Sequence, residues 1–516
     1  MQRNFQRYLG PVFKRAQLNQ LRTEALKSAQ FAGKGIRTME YSTFETDEAP
    51  IAIPPEFNGK DYVSFLLCID AEIEHGLMLQ YLYAAYSLGG PQIPPEYQDK
   101  VRNAQEVILG IAKEEMGHFI SVQNVLKLLG APLHFERQDY PWDTPFYPFP
   151  FKLEPLTLQS LAKYVYAEAP QSWLDSEDAL AQEIVAMVKQ EVPQPNTVGA
   201  LFEVLRKLVN DPAVVPDDAF QAETYPQQAK FDEWGRGYSG GNRGNTTPAS
   251  LAGSPDVLVM PLANRDDAYN AITEIAEQGE ATTLDTATPS HFERFRTLYE
   301  GLKQMMEETN HTWSFSRNLA VNPEIPTEAD DPDSSPSEGQ IADPDPLHEE
   351  FDLITNPEAQ NWGHLFNIRY RMLLNFLSHS FVLDNGYNNV GAISPRGMII
   401  NSTFGEMYNL RSIASVMVQL PLTGVPAGGP GPVITNPKFA GPPFLVPYTL
   451  ALPAGEHNRW RAHKDLIEAS DPIIRRLLEQ SKPHNHRYLY SLLEADAKLL
   501  QVTEELTAAC SCSTNQ

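Results

Sequence analysis

Residues 61–88 and 96–129 are two long stretches without an internal proline, and the short break between them holds Gly89-Gly90-Pro91 and Pro94-Pro95. Glycine stops helices and proline opens them. The pattern therefore predicts two long helices joined by a short connection, which makes them antiparallel neighbours. Gly130, followed by Pro132, closes the second. Helical patterning returns over 156–209, 264–279, 290–318, 358–384, 403–420 and 457–510. Alternating strand patterns are few and no fixed-period repeat is present, so the predicted class is mainly α.

Composition shifts divide the chain. Residues 1–58 read as an N-terminal leader and 59–320 as a helical bundle with an insertion over 131–260. Residues 321–347 are an acidic, Pro-rich linker or disordered insert, and 348–516 a C-terminal helical region packing on the bundle. The Gly/Ser-rich segment 235–255 reads as loop. The aromatic, Pro-rich run 139–151 reads as a clamp over a core and one wall of a pocket. A formal charge of −26 argues against nucleic acid or an anionic membrane surface as the main partner. No run of 18 apolar residues predicts a membrane span. Cys68, Cys510 and Cys512 build neither a disulfide framework nor a thiolate zinc site, and the basic N-terminus lacks an apolar signal core. Both features lead to the expectation of a cytoplasmic protein. The oligomeric state is left open.

Within the two long helices a few polar residues sit where apolar ones belong. Positions three, four and seven away share a helix face. Around Glu115 these include Ile108, Ile111, Ala112, His118, Phe119 and Val122; around Glu74 they include Leu67, Leu77, Met78 and Tyr81. Glu74 lies 14 residues before Leu88, and Glu115 lies 19 after Glu96. At a rise of about 1.5 Å per residue, the two differ in depth by about one turn. Glu74, Glu115 and His118 are therefore expected to converge. A buried carboxylate is costly unless paired or coordinated. Glu-x-x-His opposite a Glu on a neighbouring helix is half of the dinuclear carboxylate arrangement of four-helix bundles. The bland alternative is a solvated face on which Glu114, Glu115 and Lys113 merely exchange salt bridges.

The runs IDAEIEHGLMLQYLYAAYSL (69–88), ILGIAKEEMGHFISVQNVLKLLGAPLHF (108–135), ITEIAEQGEA (272–281) and SHFERF (290–295) together resemble the ferritin-like domain associated with iminophenyl-pyruvate dimer synthases of violacein-type pathways. AGPPFLVPYTLALP (440–453) is similar to that family's C-terminal part. The resemblance implies a ferritin-like four-helix bundle with long loop insertions and additional C-terminal helices, and an oxidative role in specialised metabolism. It also implies where the second half of the site lies: EQGE offers Glu277 and Glu280, and SHFERF offers His291, with Ser290 as a helix cap. The order here is His291 before Glu293 rather than Glu-x-x-His. Glu277, Glu280 and His291 have bland readings too, as helix-end surface and first-turn residues.

The expected metal ligands are thus Glu74, Glu115, His118, Glu277, Glu280 and His291. Mixed carboxylate and imidazole donors suit iron, as a dinuclear centre, or manganese. The function expected is a metal-dependent oxidoreductase acting on a small organic molecule. The alternative is a ferritin-like scaffold without chemistry, which would tie these carboxylates to Arg or Lys and leave no vacant space. Glu308-x-x-His311 ranks below His291 because no partner lies at its depth, and His75, about 100° around the helix from Glu74, reads as packing or support.

Overall fold

The computed structural model describes residues 8–12, 51–140, 149–192, 195, 198–234, 259, 261–280, 289–326, 351–383, 394–424, 437–447 and 450–513. The aromatic stretch 141–148, most of the leader, the segment 235–255 and the acidic insert beyond residue 326 lie outside them.

Helix α1 (Gly59–Ser87) starts where Asn58 accepts a hydrogen bond from the Asp61 amide, and ends before Gly89 and Gly90, whose φ values are +101° and +122°. Those angles suit glycine, which lacks the Cβ that penalises them. From Ile69 to Tyr81 every residue is buried. A helix buried on all sides belongs at the centre of its fold. Helix α2 (Gln98–Leu128) packs along it. The pair is antiparallel, since Gln105 reaches the carbonyl of Ala85 while His118 reaches Glu74. Ile108, Ile111, Ala112, Phe119 and Val122, the expected apolar stripe, are all buried.

Helices α3 (Leu158–Glu168), α4 (Ala179–Glu191) and α5 (Gly199–Asn210) follow, all inside the segment read as an insertion. A capping box between Thr157 and Ser160 starts α3, and Ala169-Pro170 ends it at Glu168. Helices α6 (Arg265–Glu280) and α7 (His291–Glu308) close the bundle. Helix α7 packs on α3, and α6 on α5.

The C-terminal part consists of α8 (Pro357–Ser380) against α9 (Pro395–Met417), and α10 (Glu456–Gln480) against α11 (Pro483–Ser513). Among the described residues, the sheet content is one parallel pairing, Pro323–Glu324 with Asp352–Leu353. The main apolar core runs from the bundle into α8 and α9, and a smaller cluster around Met372, Phe376 and Trp460 joins α8 to α10. Among the described residues, no helix is long and apolar enough to cross a membrane.

Candidate metal centre

The first buried polar group is the expected one. Glu74 on α1 and Glu115 and His118 on α2 bring ligand atoms within 4.8 Å of one another, and all three residues are buried. His118 Nδ1 lies 2.9 Å from Glu115 Oε2 and 3.3 Å from Glu74 Oε2. A second group joins it, formed by Glu115, Glu168 and His291 under the same limit. His291 Nδ1 lies 2.8 Å from Glu115 Oε1 and 3.7 Å from Glu168 Oε2. Glu115 thus belongs to both groups and turns one oxygen to each. The two imidazole rings lie 5.4 Å apart, centre to centre.

Local structure places each donor. Ser290 caps α7 through the Glu293 amide, so His291 stands in the first turn with its ring inside the bundle. Glu168 is the last residue of α3. Tyr81 on α1 donates to its Oε1 at 2.5 Å. A Cβ at Gly279 would sit 3.2 Å from Glu168 Oε2, so α6 passes close to that carboxylate. Behind the donors stand their supports. His118 Nε2 meets Gln278 Oε1 at 2.8 Å, and His291 Nε2 meets Glu114 Oε2 at 3.0 Å. Arg294 in turn pairs with Glu114.

Glu277 is on the exposed side of α6 and stands in neither group. Glu280 ends α6, but its side chain is outside the described residues. Glu308 and His311 are exposed, and His311 has a φ of +53°. His75 packs on Phe119 and bonds to Tyr370, away from the cluster. Glu168 was missed. The face test applied to it returns Val165, Tyr164 and Leu161, the kind of stripe that singled out Glu115.

Charge crowding governs the protonation of these groups. Burial would lower His118, but the charge of Glu115 and the hydrogen bond to it win and lift its pKa to about 10. His291 is likewise raised well above its usual value, because Glu115, Glu114 and Glu168 outweigh burial. Glu115 falls well below the usual range despite burial, held down by both histidines. Burial and the neighbouring Glu115 push Glu74 well up. Asp70, one turn earlier, rises to about 8 through burial, with a further push from Glu115.

Several of these atoms lack hydrogen bonds. Glu74 Oε2, Glu115 Oε1, His291 Nδ1 and both Asp70 oxygens are buried without a hydrogen-bond partner among the described residues. His291 Nδ1 and Glu115 Oε1 are close, yet not aligned for a hydrogen bond. Unsatisfied buried polar atoms are rare and need a cause. Converging carboxylate oxygens, and imidazole nitrogens that can give up a proton, around about 20 Å³ of free space fit a cation. The surrounding wall is apolar: Leu77, Ala167, Val198, Phe202, Ile275 and Ala276. Tyr140, Phe149 and Phe151, the described ends of the expected aromatic clamp, do not line it.

Residues 69–300 match the family model named Ferritin-like. This chain carries a ferritin-like domain. The ferritin-like domain and its surroundings also resemble two curated proteins. Dichlorochromopyrrolate synthase of Lentzea aerocolonigenes is 26% identical over 402 residues, covering 72% of this chain and 34% of that protein. The 2-imino-3-(indol-3-yl)propanoate dimerase of Chromobacterium violaceum is 25% identical over 285 residues, covering 48% of this chain and 24% of that protein. The chain thus spans about a third or less of the length of these relatives. A crystal structure of a ferritin-like protein from Caulobacter vibrioides overlaps with a TM-score of 0.37 at 15% identity, covering 69% of this chain and 96% of that one. That overlap is too loose to add to the assignment.

Proposed function

We propose that the chain is a metal-dependent oxidoreductase of the dinuclear carboxylate type, acting on a small organic substrate in specialised metabolism. The observation that carries this reading is Glu115, whose two oxygens face two separate histidine-containing groups. One carboxylate between two donor sets is what a pair of cations requires. Iron is the first expectation and manganese the second, from the mixed oxygen and nitrogen donors. Glu74, Glu115, Glu168, His118 and His291 are the ligands proposed, with Glu280 as a further one on the ground of resemblance alone. A redox-active metal pair, when bound, supplies the electron transfer that lets dioxygen oxidise an organic molecule. The chain's own residues hold that chemistry in place: Gln278 and Glu114 fix the two rings, Tyr81 fixes Glu168, and the apolar wall limits water.

The free space holds a species of about the size of water, so an organic substrate needs part of the apolar wall to yield. The Chromobacterium relative is named for dimerising an indolic imino acid. Aromatic imino acids are therefore the first substrate class to try. The scaffold reading fares worse. Among the described residues no Lys or Arg pairs with Glu74 or Glu115; the nearby Arg294 pairs with Glu114.

Metal analysis of protein purified without chelators, beside the Glu115→Ala variant, tests this. Wild-type protein should carry a transition metal, up to two per chain after anaerobic Fe(II) loading, and the variant should lose both. Wild-type protein without metal even after loading would sink the reading.

A further inference from the structure

We infer that the two metal positions are inequivalent and fill in order, the Glu115–Glu168–His291 position first, because charged and hydroxyl partners hold its donors from behind while, among the described residues, the Glu74–Glu115–His118 position has only an amide. The inference rests on the metal-centre reading above.

Both rings turn Nδ1 toward the centre and Nε2 away from it. What stands at Nε2 differs. For His291 it is the Glu114 carboxylate, itself pinned by Arg294. For His118 it is the Gln278 amide oxygen. A carboxylate behind a ligating imidazole fixes the tautomer, locks the ring and raises its donor strength. An amide does the first two and does little for the third, since hydrogen bonds to ionised acceptors are roughly twice as strong as neutral ones. The arginine keeps Glu114 ionised and in place inside the protein, which a lone buried carboxylate would not be.

The oxygen ligands show the same asymmetry. Glu168 is tied at Oε1 by the Tyr81 hydroxyl, which leaves Oε2 for the centre, and Gly279 clears the space beside it. Glu74 likewise turns Oε2 toward the centre, but among the described residues no hydroxyl ties it from behind as Tyr81 ties Glu168. Donors already held in place lose less freedom on binding, so the better-tied position binds tighter. Glu115, common to both, cannot create the difference.

Titration of chelator-treated, full-length protein with Co(II), followed by calorimetry and by the visible absorption of the bound ion, reads the order directly. Two steps are expected, the first at least about 10-fold tighter. His291→Ala should abolish the first and His118→Ala the second. Glu114→Gln should weaken the first step by about 10–100-fold, the usual effect of removing a supporting partner. Gln278→Glu should tighten the second step and narrow the gap, which decides the matter if Glu114→Gln fails to fold. Two ions entering with equal affinity would overturn the inference, as would His118→Ala removing the tighter step or Glu114→Gln leaving that step unchanged. Absence of any Co(II) binding in wild-type protein would remove the metal centre itself, an outcome distinct from binding without order.

Discussion

His118 separates the competing roles of this domain most sharply. Its Nδ1 faces Glu115 and Glu74 while Nε2 meets Gln278, and the two carboxylates outweigh burial and raise its pKa to about 10, so the ring holds its second proton at neutral pH. A ligating nitrogen must be unprotonated, so metal and proton compete for Nδ1. At pH 7 metal uptake should therefore release protons, from His118 and His291 at least, and affinity should rise as pH increases from 6 to 9. An indicator dye in weakly buffered solution measures the release; uptake without released protons would remove both histidines from the ligand set. His118→Gln should lose metal while keeping the fold, because the ion is the partner removed. A structural histidine would behave in the opposite way. Metal content would stay unchanged, and the melting temperature would drop as a buried hydrogen bond worth about 1–3 kcal/mol is lost. At this scale Glu74, Glu115 and His118 were legible because each interrupts an apolar stripe. Glu168 offered the same signal on a helix of only 11 residues, short enough to read as part of one longer helical run. The same test places Glu277 outside, since Asn270, Thr273 and Glu274 share its face while Ile272 and Ile275 lie on the other.

Helix ends decide whether donors meet. His291 reaches the centre because α7 starts at it, and α7 starts there because the Ser290 hydroxyl accepts from the Glu293 amide. Ser290→Ala should cost about 1 kcal/mol of stability, the usual value of a lost N-cap. If the cap sets the ring's position, it should also weaken metal binding, and calorimetry on the variant checks that. A drop in stability with intact affinity would show that Glu114 alone fixes the ring. Ends were also the hardest features to read from sequence. Helix α7 stops at Glu308 rather than near 318, because Asn310 and His311 take positive φ values that no helix continues through. Helix α9 begins at Pro395, capped by Ser394, earlier than the apolar pattern suggests. Within the helical patterning of 457–510, Ser481 and Pro483 divide α10 from α11, while Pro472 is absorbed within α10. Backbone hydrogen bonds and caps set these limits, and hydrophobic periodicity carries little information about either.

For the whole molecule, the question is what locks the C-terminal helices onto the ferritin-like bundle. Helix α1 faces both ways: Glu74 looks into the site, and His75, about 100° around the helix, bonds to Tyr370 on α8. A second tie lies further out. Arg396, fully buried in the first turn of α9, pairs with Glu233 through two contacts of 2.8 Å and donates to the carbonyls of Gln227, Gln228, Ser380 and Leu383. It thereby joins α8 and α9 to the segment that leads toward α6. The sequence could not announce this, because one arginine in a helix looks like any surface arginine until its neighbours are known. Replacing it strands a buried carboxylate along with four carbonyls, and breaking such a pair from one side costs about 3–5 kcal/mol. Arg396→Met should therefore lower the denaturation midpoint strongly, and adding Glu233→Met should restore part of the loss, since no charge is then left unpaired. Metal stoichiometry should stay the same in every variant that remains folded, because neither residue belongs to the two ligand groups. Chemical denaturation of the single and double variants, combined as a thermodynamic cycle, measures the coupling. Additive losses would mean that Arg396 stabilises through the carbonyls alone, and that the Glu233 pair does not tie the C-terminal helices to the rest.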